Sequence, residues 1–304
     1  MLTTINSYNR GVRCTLKRTC ITLVFLVSAF AQIGRTQDCL VSTTVRVLDK
    51  HGLPVVALTA DQLRAEIDGT PAKISSISPE TKQRIILLLD VSLSMKSVWS
   101  PSIAAAKQLM AGAGENFDIV LFRDRIRGYA RGRSQSEHLL LQLSPDTLQP
   151  YGTALYDSLI EIANSLKTPN ATIVAVSDGG DNSTHSSDAT VPLLIRASSP
   201  VVFALILDYD HKHTRSRMDF QKIPTDTGGL IEYPPSSSEV PEAMAKLMVA
   251  VQNPLVVTLQ PSQPVTKMAK LKLEAISPNG KPHDIHVLHV AEVASCNVPS
   301  ADLR

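Results

Sequence analysis

Three short segments carry residue types that could do chemistry together. Leu87-Leu88-Leu89-Asp90-Val91-Ser92-Leu93-Ser94 sets a carboxylate behind an apolar run and follows it with two hydroxyls at alternate positions. Gly152-Thr153-Ala154 offers a third hydroxyl, and Val176-Ser177-Asp178-Gly179-Gly180 ends a second apolar run in a carboxylate. Asp90, Ser92, Ser94, Thr153 and Asp178 are thus two carboxylates and three neutral oxygens. Such an all-oxygen set suits a hard cation, Mg2+ or Mn2+. Taken alone, each segment has an ordinary structural use: D-x-S-x-S as a capped turn, Thr153 as a helix N-cap, Asp178 as a turn residue before Gly-Gly. Their joint placement is what points to a metal.

Other groups carry less. His283, His286 and His289 recur at intervals of three, but side chains on a strand alternate with a period of two, so neighbours in that series face opposite ways. No shared metal is expected there. Asp208, Asp210, His211 and His213 follow an apolar run and read as a polar loop, with a rim of the site or a second ion as the alternative. Arg123, Arg125, Arg127, Arg131 and Arg133 crowd a hairpin-like stretch. They read as a solvated edge that discourages strand pairing; a patch for an acidic partner is the other reading. Asp181 reads as a solvated loop residue rather than a helper carboxylate. The chain has no Gly-rich phosphate loop, G-x-S-x-G elbow or H-E-x-x-H.

The elements that must position these residues follow from the apolar pattern. Continuous apolar runs at 85–89, 119–122, 173–176 and 201–207 are expected of strands covered on both faces. Between them, Ser100-Pro101 starts a helix running to about Ala113. Leu155, Leu159, Ile162 and Leu166 form an apolar stripe at helical spacing, as do Met244, Leu247, Met248 and Val251. This alternation predicts an α/β fold with a doubly wound, mostly parallel sheet. Ligands of such sheets bind at the carboxyl ends of the strands, where Asp90 and Asp178 fall.

The two ends of the chain differ. Residues 40–80 are β-rich, with 64–67 and 73–77 flanking Asp68-Gly69, a hairpin signal. The β pattern returns at 255–259, 271–275 and 285–290. Each set is too small to bury a core alone. One small antiparallel β unit built from both, 39–80 and 254–296, is therefore expected around a core at 84–252. The alternative pairs 40–80 with the edge of the core sheet.

Asp90-x-Ser92-x-Ser94, a distant Thr153 and a more distant Asp178 resemble the metal-ion-dependent adhesion site (MIDAS) of von Willebrand factor type A (VWA) domains, with all five positions in order. The resemblance covers residues 84–252. Val47-Leu48-Asp49 through Gly52-Leu53-Pro54-Val55, Leu58-Thr59 and Asp68-Gly69 are similar to the front end of exported bacterial VWA-related proteins. Residues 178–183 are similar to that subfamily's second aspartate loop. The resemblance implies a binding module in which Ser92, Ser94 and Thr153 supply neutral oxygens while Asp90 and Asp178 act partly through water. The cation, kept electrophilic, would take an Asp or Glu side chain from a protein partner. Adhesion or envelope assembly outside the cytoplasm is the implied role. The alternative is a Mg-dependent hydrolase on the same sheet, with Asp90 as nucleophile. Phosphatases of this architecture show a second carboxylate two residues on, and here that position is Ser92. A purely structural protein with a vestigial site is disfavoured by the five intact positions.

Composition bears on partners and compartment. The 304 residues are 43% hydrophobic and 19% charged, a balance that buries a core. Arg10, Arg13, Lys17 and Arg18 lie in residues 1–31 with no acid, leaving 26 basic and 28 acidic residues in the rest. A near-neutral body with 4% aromatics lacks the field and stacking platforms of nucleic-acid binders. The four basic residues precede an apolar run at 21–30 and Ala29-Phe30-Ala31, the pattern of a signal peptide cleaved after Ala31 and of a periplasmic or secreted product. An uncleaved anchor is the alternative, although the run is short for a hydrocarbon core of about 30 Å. Export leaves Cys39 and Cys296, one at each end of the mature chain, where disulfides persist. The shared β unit brings them together and predicts a Cys39–Cys296 bond, with two unpaired thiols as the other reading.

Overall fold

The computed structural model describes residues 39–55, 57–165, 171–185, 200–209, 214–276 and 285–296, with backbone alone at 214–219. The leader read at 1–31 lies outside them, as do Leu166, Asp210, His211, His213 and His283. The described chain begins with β1 (Val41–Asp49), β2 (Leu63–Ile67), β3 (Thr70–Pro79) and β4 (Arg84–Asp90). Next come α1 (Trp99–Gly112), β5 (Phe117–Phe122), β6 (Ile126–Ala130), α2 (Gly132–Gln142) and α3 (Leu155–Ser165). Then follow β7 (Ala171–Ser177), β8 (Val201–Ile206), α4 (Thr214–Thr227), β9 (Ile231–Glu232) and α5 (Val240–Gln252). Four strands close the described chain: β10 (Leu255–Pro261), β11 (Ala269–Ala275), β12 (Ile285–His289) and β13 (Glu292–Val293). Among the described residues no helix is long and apolar enough to cross a membrane.

The apolar runs form the middle of a six-stranded sheet in the order β6-β5-β4-β7-β8-β9. All its neighbours are parallel except β5 and β6, which form a hairpin. Every residue of β5, β7 and β8 is buried, because helices cover both faces. Leu87, Leu89, Val174, Val176, Phe203 and Leu205 pack on one side with α1 and α5, through Ala105, Leu109, Met244 and Leu247. Ile86, Leu88, Ile173, Ala175 and Ala204 pack on the other with α3 and α4, through Leu159, Ile162, Phe220 and Ile223. Each such large apolar side chain contributes about 1.5–3 kcal/mol on full burial. The fold is α/β with a mostly parallel sheet. Strand order reverses between β4 and β7, so a crevice opens at their carboxyl ends.

The remaining strands form a separate, wholly antiparallel sheet in the order β12-β1-β10-β3-β2-β11-β13. Strands from both ends of the chain alternate in it, and β1 pairs with β10 and β12 rather than with the parallel sheet. Its first and last members, β12 and β13, are separated only by Val290 and Ala291. One segment thus pairs with β1 through its first half and with β11 through its second, and the sheet closes on itself. Closure removes the exposed edges that two short β sets would otherwise present. The interior holds Val45, Val257, Leu259, Leu271 and Leu273. Between β2 and β3, Asp68 and Gly69 take φ of 48° and 75°, the left-handed pair of a type I′ hairpin turn. Cys39 and Cys296 are joined by a disulfide, their Cα atoms 5.6 Å apart.

Arg46 ties the two sheets together. It leaves β1 toward the parallel sheet and is 1% exposed. Its Nε donates to the Ala250 carbonyl in the last turn of α5 at 3.1 Å, and Nη2 donates to Thr172 Oγ1 at 3.0 Å. The guanidinium sits 5.0 Å from the Phe203 ring centre. Burial lowers its pKa to about 9, so it stays cationic at neutral pH. Thr172 lies near the amino end of β7, so this junction is at the opposite end of the parallel strands from the crevice.

Candidate metal centre

Asp90 ends β4 and is fully buried. Its Oδ1 accepts the Ser92 backbone N–H at 2.9 Å, which folds the chain back after the strand. Its Oδ2 accepts the Ser177 hydroxyl at 2.7 Å. Register explains the second contact: Leu89 lies opposite Val176, which brings Asp90 beside the end of β7. Ser92 is buried, Ser94 is exposed, and their hydroxyls are 2.9 Å apart. Asp178 follows Ser177, is largely buried, and accepts the Gly180 N–H through Oδ1 at 3.0 Å.

Thr153 arrives on a loop clamped from two sides. Ser92 forms a parallel bridge with Gln149, and Leu93 N–H donates to the Gln149 carbonyl at 3.0 Å. Thr153 N–H donates to Asn182 Oδ1 at 2.8 Å, and its carbonyl accepts Asn182 and Ser183 N–H at 3.0 Å each. Gly152 permits this approach: a Cβ there would stand 1.7 Å from Ser183 Oγ. Among the described residues the Thr153 hydroxyl makes no hydrogen bond to the other four side chains. Its loop is held to both of theirs.

The electrostatics favour a cation. Burial, and then the charge of Asp178, push Asp90 up to about 7 against the hydrogen bonds from Ser177 and Ser92. Two carboxylates drawn together in a dry site repel, and a divalent ion between them would relieve that repulsion. Among the described residues no group of three or more His, Cys, Asp or Glu side chains could hold a metal. A cation here would therefore draw on hydroxyl oxygens as well as the two carboxylates, which suits Mg2+ or Mn2+. The donor set fits. An Asp-x-Ser-x-Ser turn, a clamped threonine loop and an aspartate at the crevice of a doubly wound sheet meet at one end of the molecule. The parallel-sheet domain has the α/β architecture that the resemblance to VWA domains implies.

Comparisons with known proteins give distant likenesses only. No protein-family description and no curated protein matches the chain. The von Willebrand factor type A protein of Catenulispora acidiphila is 9% identical, over 84% of this chain and 75% of its own, with a TM-score of 0.44. An aerotolerance-related membrane protein of Bacteroides fragilis is 17% identical, over 55% of this chain and 98% of its own, with a TM-score of 0.44. Proximal thread matrix protein 1 of the mussel byssus, with zinc in its MIDAS motif, is 15% identical over 62% of this chain and 50% of its own, with a TM-score of 0.46. Likeness of this degree says nothing about what this chain binds.

The structure also revises several readings. Asp181 is no solvated loop residue: it accepts the Tyr156 N–H of the first turn of α3 at 3.0 Å, and Thr184 Oγ1 at 2.7 Å. It caps that helix from a neighbouring loop, and burial raises its pKa. Arg133 is no solvated edge either, since it donates to the Met110 and Ala113 carbonyls at the end of α1. Arg127 pairs with Asp124, and Arg131 stacks on Tyr129 along the edge strand β6. Asp208 is buried just beyond the carboxyl end of β8, on the crevice side. His286 and His289 oppose Leu48 and Val45. His289 accepts the Leu273 N–H at 3.3 Å through Nε2 and sets Nδ1 2.7 Å from the Val290 carbonyl, the pattern of a neutral structural histidine. Ser177 and Asn182 are supports that sequence reasoning passed over. The one signal for Ser177 is a hydroxyl closing an otherwise apolar strand.

Proposed function

We propose that the protein is a binding module that holds Mg2+ or Mn2+ through Asp90, Ser92, Ser94, Thr153 and Asp178 and captures an Asp or Glu side chain of a protein partner. The observation that supports this best is the buried Asp90–Asp178 pair at the crevice, with serine and threonine hydroxyls supplying the remaining oxygens. The ion supplies an electrophile for a carboxylate. With few anionic donors of its own, the site leaves that electrophile unquenched. Ser177 and the Ser92 N–H hold Asp90 in place, while Asn182 fixes the Thr153 loop. Both Asp90 oxygens accept hydrogen bonds while the side chain is fully buried, which suits a ligand or anchor better than the nucleophile of a hydrolase. Export and a role in adhesion or envelope assembly belong to this reading, and the Cys39–Cys296 bond supports an oxidising compartment.

Calorimetric titration of the purified protein with Mn2+ and Mg2+ tests it. Asp90→Ala and Asp178→Ala are expected to lose the ion while far-UV circular dichroism is unchanged. Equal Mn2+ affinity in wild type and both variants would sink the assignment. Capture of an acidic ligand is expected to be abolished by EDTA and by Thr153→Ala.

A further inference from the structure

The turn joining β5 to β6 leaves the parallel sheet at the same end as the metal centre. Phe122 is the register partner of Asp90, and Val91 N–H donates to the Phe122 carbonyl at 2.8 Å. The next residue, Arg123, accepts the Ala154 N–H through its own carbonyl at 2.6 Å. Its backbone is therefore tied to the residue beside Thr153.

The Arg123 side chain is oriented but only partly matched. Its guanidinium carbon lies 4.4 Å from the centre of the Tyr151 ring, and its side chain is 15% exposed. Nε forms an ion pair with Asp124 Oδ1 at 3.2 Å, but makes no hydrogen bond. Both Asp124 oxygens are instead taken by Arg127, at 2.5 to 2.9 Å. Among the described residues, no acceptor hydrogen-bonds to any N–H of the Arg123 guanidinium. A guanidinium held over a ring, with its N–H groups not yet hydrogen-bonded, is preorganised for a carboxylate, since little rotamer freedom is left to lose. Arg125 on the same turn and Lys96 after Ser94 are exposed and add positive charge to this end. Tyr151 is 55% exposed and Leu93 is 43% exposed, so the rim also offers apolar contact.

We propose that Arg123, held over the Tyr151 ring, is the second anchor of the partner site. It takes a second carboxylate from the same acidic protein segment whose first carboxylate meets the cation. This inference rests on the metal-dependent reading above and narrows it: the partner offers a pair of acids in one segment.

The test uses synthetic peptides and the full-length protein in Mn2+. One peptide carries a single Asp among glycines, and a series carries a second Asp one to four residues further on. At the best spacing the second Asp is expected to tighten binding about tenfold, the scale of one charge-assisted hydrogen-bonded pair. In Arg123→Gln that ratio falls to about one, and Arg123→Lys recovers only part of it, because an ammonium has neither fork nor stacking plane. Tyr151→Ala, which removes the platform but not the charge, is expected to shrink the ratio as well. The proposal is overturned if no spacing improves on the single Asp, if Arg123→Gln weakens both peptides equally, or if that variant loses Mn2+ itself. Single-Asp binding that ignores EDTA refutes the metal-dependent reading, and this one with it. Single-Asp binding that needs Mn2+ while the second Asp adds nothing refutes the second anchor alone.

Discussion

Asp90 shows what the site asks of one residue. A carboxylate at the end of a fully buried strand, near a second carboxylate, is a liability for the ion-free fold. Asn has nearly the same shape and no charge. Asp90→Asn is therefore expected to raise the melting temperature in EDTA while abolishing the further rise that Mg2+ gives the wild type. Thermal melts of both proteins, with and without the ion, check this. An Asn variant that melts below wild type in EDTA would show that the hydrogen bonds from Ser92 and Ser177 outweigh the buried charge.

Loops, rather than strands, set the spacing between the donors. The 149–153 loop touches the 178–185 loop closely enough that Gly152→Ala would place a Cβ 1.7 Å from Ser183 Oγ and 2.6 Å from Asn182 Oδ1. The loops must part, and the Thr153–Asn182 hydrogen bond goes with them. Mn2+ affinity is expected to fall about 10–100-fold, as it does when supports behind a metal's ligands are removed, with the fold intact by circular dichroism. Unchanged affinity would mean that Thr153 is placed by something other than this clamp. Asp181 acts on the neighbouring helix. Asp181→Ala is expected to lower stability by about 1–2 kcal/mol in urea unfolding, since α3 loses its N-terminal acceptor.

Across the molecule, the proposed metal site and the Arg46 junction between the sheets lie at opposite ends of the parallel strands. Arg46 meets Thr172 near the amino end of β7, whereas Asp90 and Asp178 lie at the carboxyl ends. The disulfide closes a separation of 257 residues and is expected to contribute at most about 5 kcal/mol by restricting the unfolded chain. Cys39→Ser with Cys296→Ser should therefore lower the urea midpoint and leave Mn2+ affinity as it was. A loss of Mn2+ binding in that variant would mean that the two ends are coupled. His289 sits where the antiparallel sheet closes, and burial lowers its pKa below the ordinary 6.5. The neutral ring is the one that accepts the Leu273 N–H, so its stabilisation is present above 6.5 and is lost as pH falls through the lowered folded value. Melting temperature is expected to drop on acidification through that window. His289→Gln, which keeps an acceptor without a charge, should flatten the slope; an unaltered slope would assign it to other groups.

Whatever depends on near neighbours along the chain is legible in the order of residues alone. The apolar runs of β4, β5, β7 and β8, the helical stripes of α3 and α5, and the Asp68-Gly69 turn are each written within a dozen residues. Asp90, Ser92, Ser94, Thr153 and Asp178 stood out because oxygen donors interrupt or end apolar segments, a local contrast. Which distant groups meet is a property of the folded molecule. Asp181 faces a helix start rather than water, and Arg133 caps α1. Ser177 supports Asp90, and residues 285–293 bend to join β1 to β11. In each case an N–H, carbonyl or carboxylate is satisfied by a partner far off in sequence, and burial leaves it no water to bond instead. A polar residue looks the same in a sequence whether solvent or a remote backbone group completes its hydrogen bonds; the fold makes that choice.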